Sequence, residues 1–329
     1  HRKTLWNGIR LCARKAKLKT SRFVLGGLWI LLLSAWGFPA HRHIVDLAIA
    51  WLPPSVQPFY KSHRNWLIDH ALDADIRKHN VPAEGIRHYL DVDAYLEPDE
   101  SCDDVFPINW EDAIDKFGLD ALNSHGIGPW HAHRTYQRLV FAHMEGNTAL
   151  ILRYSIDLAH YLADLHVPLH TTANYNGQFS NQTGIHALWE TQIPEAFQDD
   201  FTLQPRKNQL KCTHIDDVHS HIWERTLESY AASHFVFKCE LEVRNGWEGA
   251  AIDAYIQRGR TRQLMRTPRF VAAYHDALNG QVEDRMIRSI HSVSACWYSA
   301  WVDAGQPQLP STTISYKPIW KKALDWLMQ

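Results

Sequence analysis

The sequence predicts an all-α protein built as a multi-helix bundle. Three observations carry this expectation. Apolar residues recur at helical spacing over several long stretches, capping and stopping residues stand at their ends, and runs of alternating β-branched residues are few. At 329 residues, with 45% hydrophobic and 21% charged, the chain can bury a full core.

Residues 1–35 differ in kind from the rest. Arg2, Lys3, Arg10, Arg14, Lys15, Lys17, Lys19 and Arg22 are eight basic residues with no acidic one among them. An apolar run at 23–33 follows, then Ser34 and Ala35. A basic region, an apolar run and a small residue describe an export signal, and the run is short for a membrane span. We therefore expect a signal peptide at 1–35 and a single domain at 36–329. The protein is expected in the periplasm or outside the cell, or anchored at a membrane if the leader is retained.

Within that domain the first periodic stretch is 40–52, stopped by Pro53 and Pro54. A short helix is expected at 109–117, ended by Gly118, and a longer one at 129–145, opened by Pro129 and closed by Gly146. Asn147 caps the next, whose stripe is Leu150, Ile151, Tyr154, Leu158, Tyr161, Leu162 and Leu165. Further helices are expected at 213–238 and 268–304, with Gly280 able to bend or interrupt the second. The polar segment 171–184, with Asn176-Gly177, reads as a loop placed to shape a site mouth, and 203–212 as a second loop. The tail at 311–329 holds a short amphipathic piece expected to pack back on the bundle.

Charge and cysteine content exclude some functions. The chain has 34 Lys and Arg against 36 Asp and Glu; without the leader's eight basic residues the balance is 26 against 36, a net of −10. Such a domain lacks the basic footprint of a tight, salt-dependent nucleic-acid binder, though metal ions could still hold a phosphodiester. Cys12 falls in the leader. Cys102, Cys212, Cys239 and Cys296 are widely spaced with no C-x-x-C pair, which argues against a cysteine-based zinc site. Export would permit one or two disulfides; the alternative is free buried thiols.

The densest chemistry lies at 160–190. His160, Asp164, His170, His186 and Glu190 include two i,i+4 pairs, each on one helix face, with His170 reaching back from a turn after Pro168. Imidazole and carboxylate are zinc ligands, and a single three-ligand site would use only part of this set, so more than one metal is expected. Upstream stand Asp73 and Asp75 after His70, the run His88-Tyr89-Leu90-Asp91, and Trp36 with His41 five residues on.

These pieces together resemble the trinuclear zinc phosphoesterases, namely bacterial zinc-dependent phospholipase C and the single-strand-specific zinc nucleases. The matching stretches span 36–194, about half of the domain: Trp36 to His41, the run from His88 to Asp91, His160-Tyr-Leu-Ala-Asp164 through His170, and His186-Ala-Leu-Trp-Glu190 through Pro194. The resemblance implies a helical bundle around three zinc ions. One zinc would be held by Asp75, His88, His160 and a bridging Asp164, with Asp73 competing for the place of Asp75. A second would take His170, His186 and Glu190, where Glu follows the phospholipase type. The third would take Asp164, His41 and the amino group and carbonyl of Trp36, which requires cleavage after Ala35.

The resemblance also implies a hydrolase of phosphate esters with a metal-bound hydroxide as nucleophile. Asp164 and Asp75 would be its catalytic carboxylates, Asp75 orienting the nucleophile or taking its proton. Tyr89 and Asp91 would contact the substrate, Tyr89 by stacking on a base and Asp91 by accepting from its edge. The expected partner is a phosphodiester, whether nucleic acid, nucleotide or phospholipid, with a lean toward nucleotide; no obligate protein partner is evident. A non-catalytic, secreted zinc-binding or interaction protein is the alternative from a different class.

Overall fold

A computed structural model describes residues 38–96, 105–203, 212–248, 251–258 and 261–309, which belong to one compact unit. The described residues are mostly helical, as the apolar periodicity predicts. In chain order they form α1 (Phe38–Trp51), α2 (Gln57–Ser62), α3 (Arg64–Asp69), α4 (Asp73–Arg77), α5 (Trp110–Phe117), α6 (Leu119–His125), α7 (Gly128–Met144) and α8 (Thr148–Leu165). There follow α9 (Ile185–Ala187), α10 (Ile193–Phe197), α11 (Val218–Asn245), a hairpin of β1 (Asp253–Arg258) and β2 (Thr261–Arg266), α12 (Pro268–Ala277) and α13 (Gln281–Asp303). No described helix is long and apolar enough to cross a membrane.

Helix α8 is the axis. Every residue from Ser155 to Leu165 is buried, polar ones included, because α1, α7, α11 and α13 all pack on it. Asn147 caps it as expected, its side chain accepting from the Leu150 amide at 3.2 Å. Asn109 does the same for α5 through the Glu111 amide at 2.8 Å. The core also fixes its polar edges: Trp297 stacks on Tyr60 at 4.7 Å and donates its indole N–H to the Ser155 carbonyl at 2.9 Å. A satellite core of Leu90, Val92, Phe106, Leu122, Trp130 and Trp223 lies under the segment that follows His88.

The helical stretch expected at 268–304 is interrupted at Gly280, as the sequence allows, with Gly280 adopting φ +80° at the start of α13. The β-hairpin at 253–266 is not anticipated by the sequence reading; its two strands pair antiparallel with Tyr255 opposite Leu264. Helix α11 runs Val218–Asn245, shifted several residues toward the C-terminus from the predicted 213–238 because Asp217 caps it, accepting from the Ser220 amide. Cys212, Cys239 and Cys296 are free thiols. Cys102, the leader, most of the loop 203–212 and the tail at 311–329 lie outside the described residues.

Several histidines are buried away from the 160–190 cluster. His143 on α7 has no solvent exposure and neither ring nitrogen has a hydrogen-bond partner among the described residues. Burial lowers its pKa to about 4. A histidine whose folded pKa lies below its unfolded value adds stability above the unfolded pKa, and that stability is lost as the pH falls toward the folded one. The window here runs from pH 6.5 down to about 4, and a shift of this size corresponds to about 3 kcal/mol. His143→Leu is expected to flatten the drop in urea midpoint between pH 7 and pH 4.5. An unchanged drop would mean that His143 is hydrated or partnered.

Candidate metal centre

Four chain segments converge on the core end of α8. His41 comes from the first turn of α1, Asp75 from α4, His88 from the end of a 3-10 turn at Pro82–Arg87, and His160 and Asp164 from α8. All five are buried. Asp164 is their centre: its carboxylate lies 2.7 Å from His88 Nδ1, 3.3 Å from His41 Nε2 and 3.4 Å from His160 Nε2. His41 and His160 stack face to face at 4.2 Å. Of the Asp73–Asp75 pair, Asp75 is the one brought in, with Oδ1 3.6 Å from His160 Nε2. Asp73 turns outward and accepts from His70 Nδ1 at 2.9 Å.

A neighbouring cluster forms where the chain leaves α8. Val167-Pro168 stops the helix, and a 3-10 turn at Pro168–His170 presents His170. Its Nδ1 donates to the His88 carbonyl at 2.8 Å, which ties the two clusters together and leaves Nε2 facing Glu190 Oε2 at 3.4 Å. His186 Nε2 lies 3.1 Å from Glu190 Oε1. The spacing is i,i+4 as predicted, but the turn is not regular: Leu188–Gln192 is a π-helix. Pro194 supplies the reason, since it has no N–H to return to the Glu190 carbonyl and the wider turn sits directly before it.

The donor set fits metal ions. His/Asp/Glu donor atoms come together in three groups, namely His41 with His160 and Asp164, Asp75 with His88 and His160, and His170 with His186 and Glu190. Buried polar atoms without a hydrogen bond are costly and rare. Here His41 Nε2, Asp75 Oδ2, Asp164 Oδ1, His170 Nε2 and both nitrogens of His186 are all buried without one. Their orientation is set from behind: His160 Nδ1 donates to the Ala71 carbonyl at 3.1 Å, so its Nε2 lone pair points into the cluster.

Electrostatics agree. Burial pushes the Asp164 carboxyl up, but His160 and His170 outweigh it and hold the group well below the carboxylate range. Asp75 behaves likewise, with burial opposed by His160 and Lys78. Burial lowers His160, yet Asp164 and Asp75 raise it to about 9. His41 and His88 stay low because burial dominates. Asp164 and Asp75 thus hold a proton on His160, and a cation can replace that proton.

Sequence reasoning missed Glu84. It is fully buried, accepts from Tyr161 Oη at 2.6 Å and from Arg77 and Arg87, and lies 3.7 Å from His88 Nε2 on the side away from Asp164. Its place on the same 3-10 turn as His88, one turn earlier, is the signal that could have found it. Trp36, the remaining expected ligand, lies outside the described residues.

Tyr89 and Asp91 flank the clusters. The 88–92 segment runs beside 170–171, with Leu90 N–H donating to the His170 carbonyl and Val92 N–H to that of Thr171, both at 3.0 Å. Leu90 is buried in the satellite core, whereas Tyr89 and Asp91 on either side of it are only partly buried. Asp91 faces His125 Nδ1 at 3.4 Å; burial, with help from Asp93 and against His125, raises its pKa to about 6. Tyr175, from the 171–184 loop, sets its ring edge-on to His186 at 5.9 Å. The polar loop therefore does border the site.

Fold and site together define a helical protein with three buried groups of potential metal ligands. No protein-family model matches the chain, and no match is found among curated proteins or solved structures.

Proposed function

We propose that this protein is a zinc-dependent hydrolase of phosphodiesters. The observation that carries the reading is the convergence of eight sequence-predicted ligands, His41, Asp75, His88, His160, Asp164, His170, His186 and Glu190, into buried groups in which His41 Nε2, Asp75 Oδ2, Asp164 Oδ1, His170 Nε2 and both His186 nitrogens have no hydrogen bond. Imidazole with carboxylate suits zinc, and the motif resemblance favours it over other metals of similar preference. His160 stands in both groups and has one lone pair facing the cluster, so it would serve one metal, here taken as that of Asp75 and His88. The His41–Asp164 metal then needs further ligands, and the amino group and carbonyl of Trp36 are proposed for them, freed by removal of residues 1–35 on export.

Metal held by these residues would lower the pKa of a bound water and offset the charge of a phosphoryl group. The chain's own residues do the rest. Asp164, with Oδ1 near His41 and Oδ2 near His88 and His160, would serve both of the groups that share His160. Asp75 presents an unpartnered oxygen that can orient a nucleophile or take its proton. Tyr89, Asp91, His125 and Tyr175 gather aromatic faces and a carboxyl beside the His170 group, a set suited to a nucleobase. Side-by-side turnover of single-stranded DNA, RNA, phosphatidylcholine and a chromogenic diester tests the reading. Diester and nucleic-acid hydrolysis, abolished by chelator and restored by zinc, is expected. No turnover of any of them by the zinc-loaded protein would favour a binding protein instead.

A further inference from the structure

The β-hairpin presents an outward face that is apolar and basic together. Side chains alternate along its strands, so Tyr255, Leu264 and Arg262 share one face, with Tyr255 directly opposite Leu264. Tyr255 is 64% and Leu264 61% exposed, whereas Ala254, Ile256 and Met265 on the other face are partly covered. Charge is equally uneven. Between 253 and 269, Arg258, Arg260, Arg262, Arg266 and Arg269 stand against one acidic residue, Asp253, whereas residues 36–329 together carry a net charge of −10. Arg258 is paired with Glu195 and Arg266 with Asp253. Arg262 instead lies over the Tyr255 ring and Arg269 over Trp247, and neither makes an ion pair among the described residues.

The hairpin is tied to the metal centre's own frame. Arg266 donates to the Thr183 carbonyl at 2.9 Å, just before the turn that presents His186, and Glu195, the partner of Arg258, follows Glu190 by five residues. Whatever holds the hairpin thus holds the segment 183–195. The adjoining loop adds an aromatic side chain, Phe179, at 76% exposure.

We propose that the hairpin docks the protein on an anionic phospholipid surface, with Tyr255 and Leu264 entering the headgroup boundary and Arg262 pairing with lipid phosphate. An exposed Tyr–Leu pair suits a membrane interface, where an amphipathic ring and an aliphatic chain are both accommodated. A nucleic-acid strand would use the arginine and the ring but has no place for the leucine. This docking is independent of the metal chemistry.

The test is local, because residues 1–35 can bind lipid themselves. Amide exchange is followed over 253–266 in the full chain, alone and with vesicles of phosphatidylcholine, vesicles of phosphatidylcholine with phosphatidylserine, or a single-stranded oligonucleotide. Exchange is expected to slow with the mixed vesicles, and less with phosphatidylcholine alone. Tyr255→Ser with Leu264→Ser is expected to raise the lipid concentration for half-maximal protection by about tenfold. Arg262→Glu should weaken protection by the mixed vesicles selectively. These side chains are exposed, so helical content should not change. Unaltered exchange with mixed vesicles overturns the proposal, as does protection by the oligonucleotide that the vesicles do not give.

Discussion

Asn in place of Asp164 is expected to remove two metal ions and nearly all turnover. Asp164 is fully buried and within 3.4 Å of three imidazoles drawn from α1, α8 and the turn before Tyr89. It belongs to the His41–His160 group and touches His88 and His160 of the second group. An amide keeps the volume but loses the charge that balances those imidazoles and any metal they hold. Removing partners behind a ligand costs about 10–100-fold in affinity, and removing a shared ligand should cost more, roughly a thousandfold in turnover. Glu190→Gln is the comparison. Glu190 serves the His170–His186 group alone, so about one metal should go and the loss of turnover should be smaller. Equal losses in two folded variants would mean that Asp164 is an ordinary single-site ligand.

The second large effect concerns backbone rather than charge. Gly126 closes α6 at φ +87°, and a Cβ there would lie 2.2 Å from the Tyr89 carbonyl oxygen and 2.7 Å from its ring. Gly126→Ala therefore adds a clash to an unfavourable dihedral and should cost about 3 kcal/mol or more. Gly118 is the matched control. It has φ +79° with open space around the missing Cβ, so Gly118→Ala bears the dihedral cost alone, about 1–3 kcal/mol, without the clash. Because the obstructed atoms belong to Tyr89, Gly126→Ala should also raise KM for nucleotide substrates beyond its effect on kcat. Equal changes in urea midpoint for the two variants would contradict the close approach.

Much of this was legible in the sequence because helical period and ligand spacing are local. The stripe on α8, its Asn147 cap and the His160–Asp164 pair need only the geometry of one helix, and His186 and Glu190 keep their approach although the turn between them widens to a π-helix. Three features depend on long-range packing and were not legible. The choice of Asp75 over Asp73 is decided by which carboxylate α4 turns toward α8. Glu84 looks like any surface glutamate until Tyr161 and two arginines enclose it. The hairpin escaped because its alternation places Tyr and Leu on the outward face, opposite to the usual pattern of a half-buried strand.

Metal content tests the central claim most directly. Protein with its N-terminus confirmed at Trp36 is loaded with zinc, dialysed, and analysed for metal per chain alongside Asp164→Asn and Glu190→Gln. The expected values are about three ions for the parent, about one for Asp164→Asn and about two for Glu190→Gln. One ion or none in the folded parent protein, or the same content in all three, would contradict a three-metal centre bridged by Asp164.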